Sequence, residues 1–377
     1  MTLKSLKWNQ VNAWRLSQHR LSSRLTRQDL VKAATLTGGI QAQVLSAAEL
    51  ALCARIDGLS REDIHSALWQ DHTLVKTWAM RGTLHLLSAS ELPLVVAARS
   101  LNETRSWANY FASYGLTSAQ YDAFLSAVPQ VLNDGPMTRD QLATAIAQQT
   151  GLPQLRELIL STGWGSPLKP SAFRGDLCFG PSQGQNVTFV NPRTWISDWS
   201  SIDPTLALQN IVRLYLQVYG PAVPEDFARW WSGGTGLVLT RKIFLAMAAD
   251  LEEVDVEGWR AFALRATLEP MQNLEPADTV ILLPLFDGYT FALGREVEPL
   301  VPTVYKSLVF RPQGWISAVV LVNGYVQGVW EYKTQRSQTI VKIRLFTSPT
   351  TSIRKGIEAE AGRLGAFLNT SVDLEVE

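Results

Sequence analysis

Over roughly the first 260 residues, apolar positions recur with helical spacing; beyond them the period shortens to the alternation of strands. Amphipathic helices are predicted from "QVNAWRLSQHRL", "SAQYDAFLSAVPQVL" and "PTLALQNIVRLYLQVY". Each precedes a helix start of one kind. "LTRQDL" occupies 25–30, "MTRDQL" occupies 137–142, and "GPAVPEDFA" at 220–228 aligns with "GPMTRDQLA" at 135–143. Thr26 and Thr138 are natural N-caps, and Asp29 and Gln141 stand three residues on, where a capping-box partner belongs. In the third start Pro224 takes the beginning of the helix, where its missing N–H costs nothing.

The segments after these starts repeat as well. The first start leads to "SREDIHSALWQ" at 60–70, then to two strand-like runs, "LVKTWAM" and "TLHLLS", joined at Arg81-Gly82. The second leads to "LPQLRELILSTGW", then to "LCFG" and "VTFVN" around the turn-rich "PSQGQN". Three helices and a hairpin are the order of a winged-helix module, the second helix pair being the helix-turn-helix and the hairpin the wing. A third unit, at about 203–258, ends in a weaker wing, "DLEEVDVEG". From about 260 short strands are predicted in "AFALRATL", "TVILLPLF", "SAVVLVNGYVQGVWEYK" and "QTIVKIRLF", with an Asn-Gly hairpin signal at 322–325 and a closing helix in "TSIRKGIEAEAGRLGAFLN". The expected class is therefore α+β. Tandem winged-helix modules at 1–115, 116–200 and 201–260 are followed by a C-terminal β-sheet or β-barrel domain at 261–377.

Composition narrows the functional classes. With 46% hydrophobic and 18% charged residues the chain is globular, and 377 residues exceed one typical core. No apolar run approaches a membrane span, and the opening "MTLKSLKWNQ" carries no signal-peptide core, so a cytoplasmic protein is expected. Cys53 and Cys178 stand far apart in apolar surroundings and are expected to be small buried hydrophobes in a reducing compartment. The four histidines (His19, His65, His72, His85) lack metal-ligand spacing, so neither a metal nor another cofactor is expected.

Net charge is zero, which argues against bulk electrostatic DNA binding, but the charge is segregated. Residues 1–35 carry seven Lys/Arg against Asp29, and residues 301–355 carry eight against Glu331; residues 248–278 hold eight acids and two arginines. Such segregation suits a nucleic-acid footprint and also ordinary solvated faces.

The stretch "TGGIQAQ" (37–43) sets two uncharged amides, Gln41 and Gln43, after a Gly-Gly pair and before the apolar run "VLSAAELALCARI". A Gln at a helix start commonly caps backbone N–H groups. Residues i and i+2 of an extended segment, however, point to one side, so both amides can face one cleft. Gly38 and Gly39 permit a sharp turn before them.

Six stretches, "GGIQAQVLSAAELALCARIDGL", "VKTWAMRGTLHLLS", "GWGSPLKPSAFRGDLCFG", "YLQVYGPAVPEDFARWW", "LLPLFDGYTFALG" and "VLVNGYVQGVWEYK", together and in order resemble the AlkZ-type winged-helix DNA glycosylases. The resemblance runs from about 8 to 368. It implies tandem winged helices with a C-terminal β-domain, forming a concave DNA-binding face. It also implies a Gln-apolar-Gln catalytic signature, which Gln41-Ala42-Gln43 matches; another branch carries Gln-apolar-Asp. Neutral amides fit the chemistry the resemblance implies. Alkylation at N7 makes a purine cationic and a good leaving group, so no general acid is needed. The amides would orient water towards C1′ and face the developing sugar cation with their oxygens.

The expected activity is thus a monofunctional DNA glycosylase acting without cofactor, as a monomer, on double-stranded DNA containing cationic N7-alkylpurines. By resemblance its substrates include bulky adducts and interstrand crosslinks. Secondary candidates for DNA contact are Arg81 at a wing tip, His85 beside it, Lys169 and Arg174 before the second wing, and Trp78 for stacking on a base. Asp287 in "PLFDGY" is a turn-former or a further site residue. The rival readings are a winged-helix regulator that performs no chemistry and a resistance protein that sequesters drug or adduct.

Overall fold

The computed structural model describes residues 3–101, 104–276, 278–292 and 299–377. The last two residues of the motif "LLPLFDGYTFALG", Leu293 and Gly294, lie outside them. The chain is mixed α+β and divides into two compact units. One is built from residues 1–64 and 212–377, the other from 65–211.

The repeated helix starts form as their sequences dictate. Thr138 caps Arg139–Thr150: its backbone N–H donates to Gln141 Oε1 (2.8 Å), and the Gln141 N–H donates to Thr138 Oγ1 (3.4 Å). Thr26 and Asp29 make the equivalent box ahead of Leu30–Leu36. Pro224 opens Pro224–Ser232, and Asp226, three residues beyond Val223, accepts from the Val223 N–H at 3.3 Å. After each of these starts, helices lead into a hairpin: Leu74–Trp78 with Leu84–Ser88, Cys178–Gln183 with Asn186–Val190, and Leu251–Val256 with Trp259–Leu264.

In the unit of residues 65–211 the strands lie in the order Leu84–Ser88, Leu74–Trp78, Cys178–Gln183, Asn186–Val190 and Met137–Thr138, all pairs antiparallel. Helices Ser118–Val131, Arg139–Thr150 and Gln154–Ser161 bury their apolar faces with them, and Phe111, Phe124, Leu142, Ile146 and Phe189 fill the core.

The other unit holds two larger sheets besides the short parallel pair Leu25–Thr26/Ile56–Asp57. Lys4–Leu6 adds in parallel to the hairpin Leu251–Val256/Trp259–Leu264. The C-terminal sheet runs Val280–Leu283, Val319–Val322, Tyr325–Gln335, Gln338–Leu345, Ser371–Val376, so of the two expected forms it takes the open sheet. Its last strand, parallel to Gln338–Leu345, was not visible in the alternation. "AFALRATL" divides, strand to Leu264 and then helix Arg265–Asn273. The closing helix Thr351–Leu368 lies on Val280 so closely that a Cβ at Gly356 would stand 2.6 Å from that side chain. Leu6, Trp8, Val11, Val254, Leu283, Val319 and Val326 join both sheets and the first helix in one core.

Candidate functional site

The glutamine segment sits in the unit of residues 1–64 and 212–377, and the backbone before it is held from several sides. Helix Leu30–Leu36 ends at Thr37, whose hydroxyl donates to the Ala33 carbonyl (2.9 Å) and whose own carbonyl accepts from the Tyr219 hydroxyl (2.9 Å). Gly38 and Gly39 then turn the chain with φ of 69° and 99°, in the left-handed region. At Gly38 a Cβ would also meet the Trp230 ring at 3.2 Å, so the residue is required twice over. Ile40 and Ala42 are buried while Gln41 and Gln43 are half-buried, so burial alternates along residues 40–43.

Helix Leu45–Cys53 follows at once and is anchored at its far end. Three of its terminal carbonyls accept from guanidinium groups: Ala51 from Arg55 (2.8 Å), Cys53 from Arg363 (2.7 Å) and Ala54 from Arg24 (3.0 Å). Cations there satisfy orphan acceptors and complement the negative end of the helix dipole. Glu360 ties Arg24 and Arg363 together (2.5 and 3.4 Å). Arg55 forms a bidentate pair with Asp287 (2.7 and 2.8 Å), each side chain only 1% exposed. Asp287 also accepts from the Tyr289 N–H at 2.9 Å. Through Arg55 it therefore anchors the C-terminal end of the helix that follows the glutamine segment. His19 completes this buried group, its Nδ1 3.4 Å from Arg55 and its ring edge-on to Tyr219 and Tyr289. Burial, then the Arg55 and Arg15 charges, hold its pKa well below the usual 6.5, so it is neutral.

In the unit of residues 65–211 the structure brings Arg81, His85 and Lys169 to one place. Arg81 occupies the turn between two strands at φ 59°. His85 is buried and satisfied. Its Nδ1 meets the Thr83 carbonyl at 3.0 Å, and Nε2 meets Arg81 Nη2 at 3.4 Å, an arrangement that suits a neutral ring donating from Nδ1. Burial and the Arg81 charge depress its pKa well below 6.5. His85 thus positions Arg81. Lys169 Nζ lies 3.7 Å from where a Cβ on Gly82 would stand. Its pKa is lowered by burial and by Arg99, which stacks over Phe173 at 3.9 Å and donates to the Ala79 carbonyl. A cationic cluster thus gathers at the Arg81-Gly82 turn. Arg174 is exposed and pairs with Asp176 at 3.0 Å. Trp78 is 5% exposed, packed against Phe179 and Phe189 in the core of this unit, where it cannot reach a base without opening that core.

Sequence reasoning missed Arg55, Arg99, Arg24 and Arg363. The signal for Arg55 was present: a lone cation within "LALCARI" must be paired if buried. Both cysteines are buried and free, as expected, and burial raises the Cys53 thiol to about 11. Among the described residues no cluster of His, Cys, Asp or Glu could hold a metal ion, and no helix is long and apolar enough to cross a membrane.

Against known proteins, residues 35–367 match the family model "DNA glycosylase AlkZ-like". The Interstrand DNA cross-link repair glycosylase of Streptomyces sahachiroi is 38% identical over 333 residues, 87% of this chain and 88% of that protein. The solved structure of Streptomyces sahachiroi DNA glycosylase AlkZ superposes with a TM-score of 0.87 at 34% identity, covering 98% of this chain and all of that one. The chain belongs to the AlkZ-like DNA glycosylase family, and so to a family of DNA repair enzymes.

Proposed function

We propose that this protein hydrolyses the N-glycosidic bond of cationic N7-alkylpurines in duplex DNA, bulky adducts and interstrand crosslinks included, with Gln41 and Gln43 positioning the attacking water. The observation that carries the reading is the placement of the two amides. They flank a fully buried Ala42, are themselves only half-buried, and follow a backbone turn held by Tyr219 and Trp230. The named activity of the 38% identical relative supports the inclusion of crosslinks.

The chemistry asks little of the protein beyond position. As the C1′–N9 bond breaks, its electron pair leaves with the purine and cancels the charge that alkylation placed there. The sugar becomes oxocarbenium-like, and water adds to C1′, losing its proton to solvent. Amide oxygens can accept from that water and turn the negative ends of their dipoles to the cation. A carboxylate base typically contributes about 10²–10⁴-fold, which an already activated leaving group makes dispensable. Prepaying the orientation of water lowers the entropic part of the barrier. No lysine Schiff base enters, so borohydride should trap no protein–DNA adduct.

Arg81, Lys169 and Arg174 are assigned to phosphate contact, with Arg99 and His85 supporting the first two, and the three helix-then-hairpin repeats are assigned as tandem winged helices. The test is a duplex carrying one defined N7 crosslink, incubated with the full chain and resolved on a denaturing gel. Conversion to single strands with an alkali-labile abasic site is expected. Release of N7-methylguanine from a simple lesion but never from the crosslink would confine the activity to monoadducts.

A further inference from the structure

A cleft of about 660 Å³ opens in the unit of residues 1–64 and 212–377, directly after the glutamine pair. Val44, the residue following Gln43, lines it, as do Ser46 and Ala47 in the first turn of helix Leu45–Cys53. The volume falls in the range of about 300–1,000 Å³ that small-molecule sites occupy. Water positioning by Gln41 and Gln43 makes no use of it.

Its lining joins two kinds of chemistry. One is aromatic and apolar: Trp315, Trp330 and Tyr332, with Leu50 and Leu308. Trp330 is fixed by its indole N–H, which donates to the Leu283 carbonyl at 2.8 Å. Trp315 is 41% exposed at the mouth, an apolar ring left in water unless something covers it. Its position is set in advance. A tight turn through Gln313 and Gly314, both in the left-handed region, is closed by the Arg311 N–H donating to the Trp315 carbonyl (2.8 Å), and Phe286 packs on the ring at 5.0 Å. The other kind is cationic. Lys342 is balanced by Glu375 at 2.9 Å, with Glu331 and Glu377 nearby, but Arg311 and Arg344 make no ion pair among the described residues. The turn therefore sets the backbone of Trp315 and Arg311, four residues apart, and both side chains line the cleft.

We propose that this cleft binds a planar aromatic ring joined to an anion, the ring against Trp315 and the anion between Arg311 and Arg344. Two sources share that chemistry: an unstacked nucleotide of the DNA strand, and the aromatic portion of an adduct beside its phosphate. Assigning either source to repair rests on the glycosylase reading; the binding itself does not.

The experiment titrates the full chain with 2′-deoxyadenosine 5′-monophosphate, 2′-deoxyadenosine and inorganic phosphate by calorimetry. The nucleotide should bind saturably, and about tenfold more tightly than either fragment. Trp315→Ala should weaken nucleotide and nucleoside but not phosphate, and Arg344→Gln should weaken nucleotide and phosphate but not nucleoside. Both side chains are exposed, so neither change opens the core. Displacement of the nucleotide by an undamaged oligonucleotide would identify the strand as occupant. Displacement only by a duplex bearing N7-benzylguanine would identify the adduct ring, and displacement by neither would overturn the link to DNA. Absence of saturable nucleotide binding, or binding untouched in both variants, would overturn the proposal. No bond is cut in this assay, so a protein that releases no base could still pass it.

Discussion

Replacing Asp287 with Asn removes one charge and almost no volume from the buried group at the C-terminal end of helix Leu45–Cys53. In the native protein Arg55 donates two hydrogen bonds to this carboxylate, at 2.7 and 2.8 Å, and neither side chain sees water. The substitution leaves an uncompensated guanidinium and turns one acceptor into a donor facing another donor. Breaking one partner of a buried pair typically costs about 3–5 kcal/mol. For a body of this size, about 2–4 °C is lost per kcal/mol, so the melting temperature should fall on the order of 10 °C, followed by circular dichroism. The double variant Arg55→Met/Asp287→Leu removes both charges and should recover much of the loss, since burying a pair is itself costly. A fall below about 3 °C for Asp287→Asn, or a double variant no better than the single, would refute the reasoning. The pair would then be a bystander to packing.

Acidification should destabilise the fold. His19 and His85 are held neutral with pKa values well below 6.5, so the unfolded chain binds protons that the folded one refuses. Their contribution is full above about pH 6.5 and declines below it, by up to about 1.4 kcal/mol per histidine per pH unit; His85→Gln should flatten the urea-midpoint profile between pH 6.5 and 5. Gly38→Ala should cost about 1–3 kcal/mol, because the residue sits at φ 69° against Trp230. It should slow base release more than DNA binding. Arg81→Ala and Lys169→Ala should each weaken binding to any duplex and reduce the slope of log affinity against log salt by about one, measured by fluorescence anisotropy.

Much of this architecture could be read from local signals. The capping pairs Thr26/Asp29 and Thr138/Gln141 act within one turn, so their sequences alone determine the geometry. The hairpins at Arg81-Gly82 and Asn323-Gly324 are equally local. The parallel strand Ser371–Val376 is not local: its pairing with Gln338–Leu345 depends on the intervening helix bringing it back. The same divide holds at the site. The i, i+2 spacing is a local signal, and the half-burial of Gln41 and Gln43 on either side of buried Ala42 accords with it. What holds them is long-range, in Tyr219, Trp230, Asp287 and Arg363, each far away along the chain. Trp78 misled for a related reason: a tryptophan in a strand beside a presumed cleft reads the same whether its ring faces the core or solvent, and Phe179 and Phe189, a hundred residues on, decide it.

The central claim, that Gln41 and Gln43 position the water that cleaves the glycosidic bond, meets its most direct test in single-turnover base release. The substrate is a duplex with one N7-methylguanine, and the proteins are wild type, Gln41→Ala and Gln43→Ala. The account predicts free base and an alkali-labile abasic site from the wild type. Each variant should be slower by about 10²-fold or more, with duplex binding retained. Wild-type rates in both variants would contradict it.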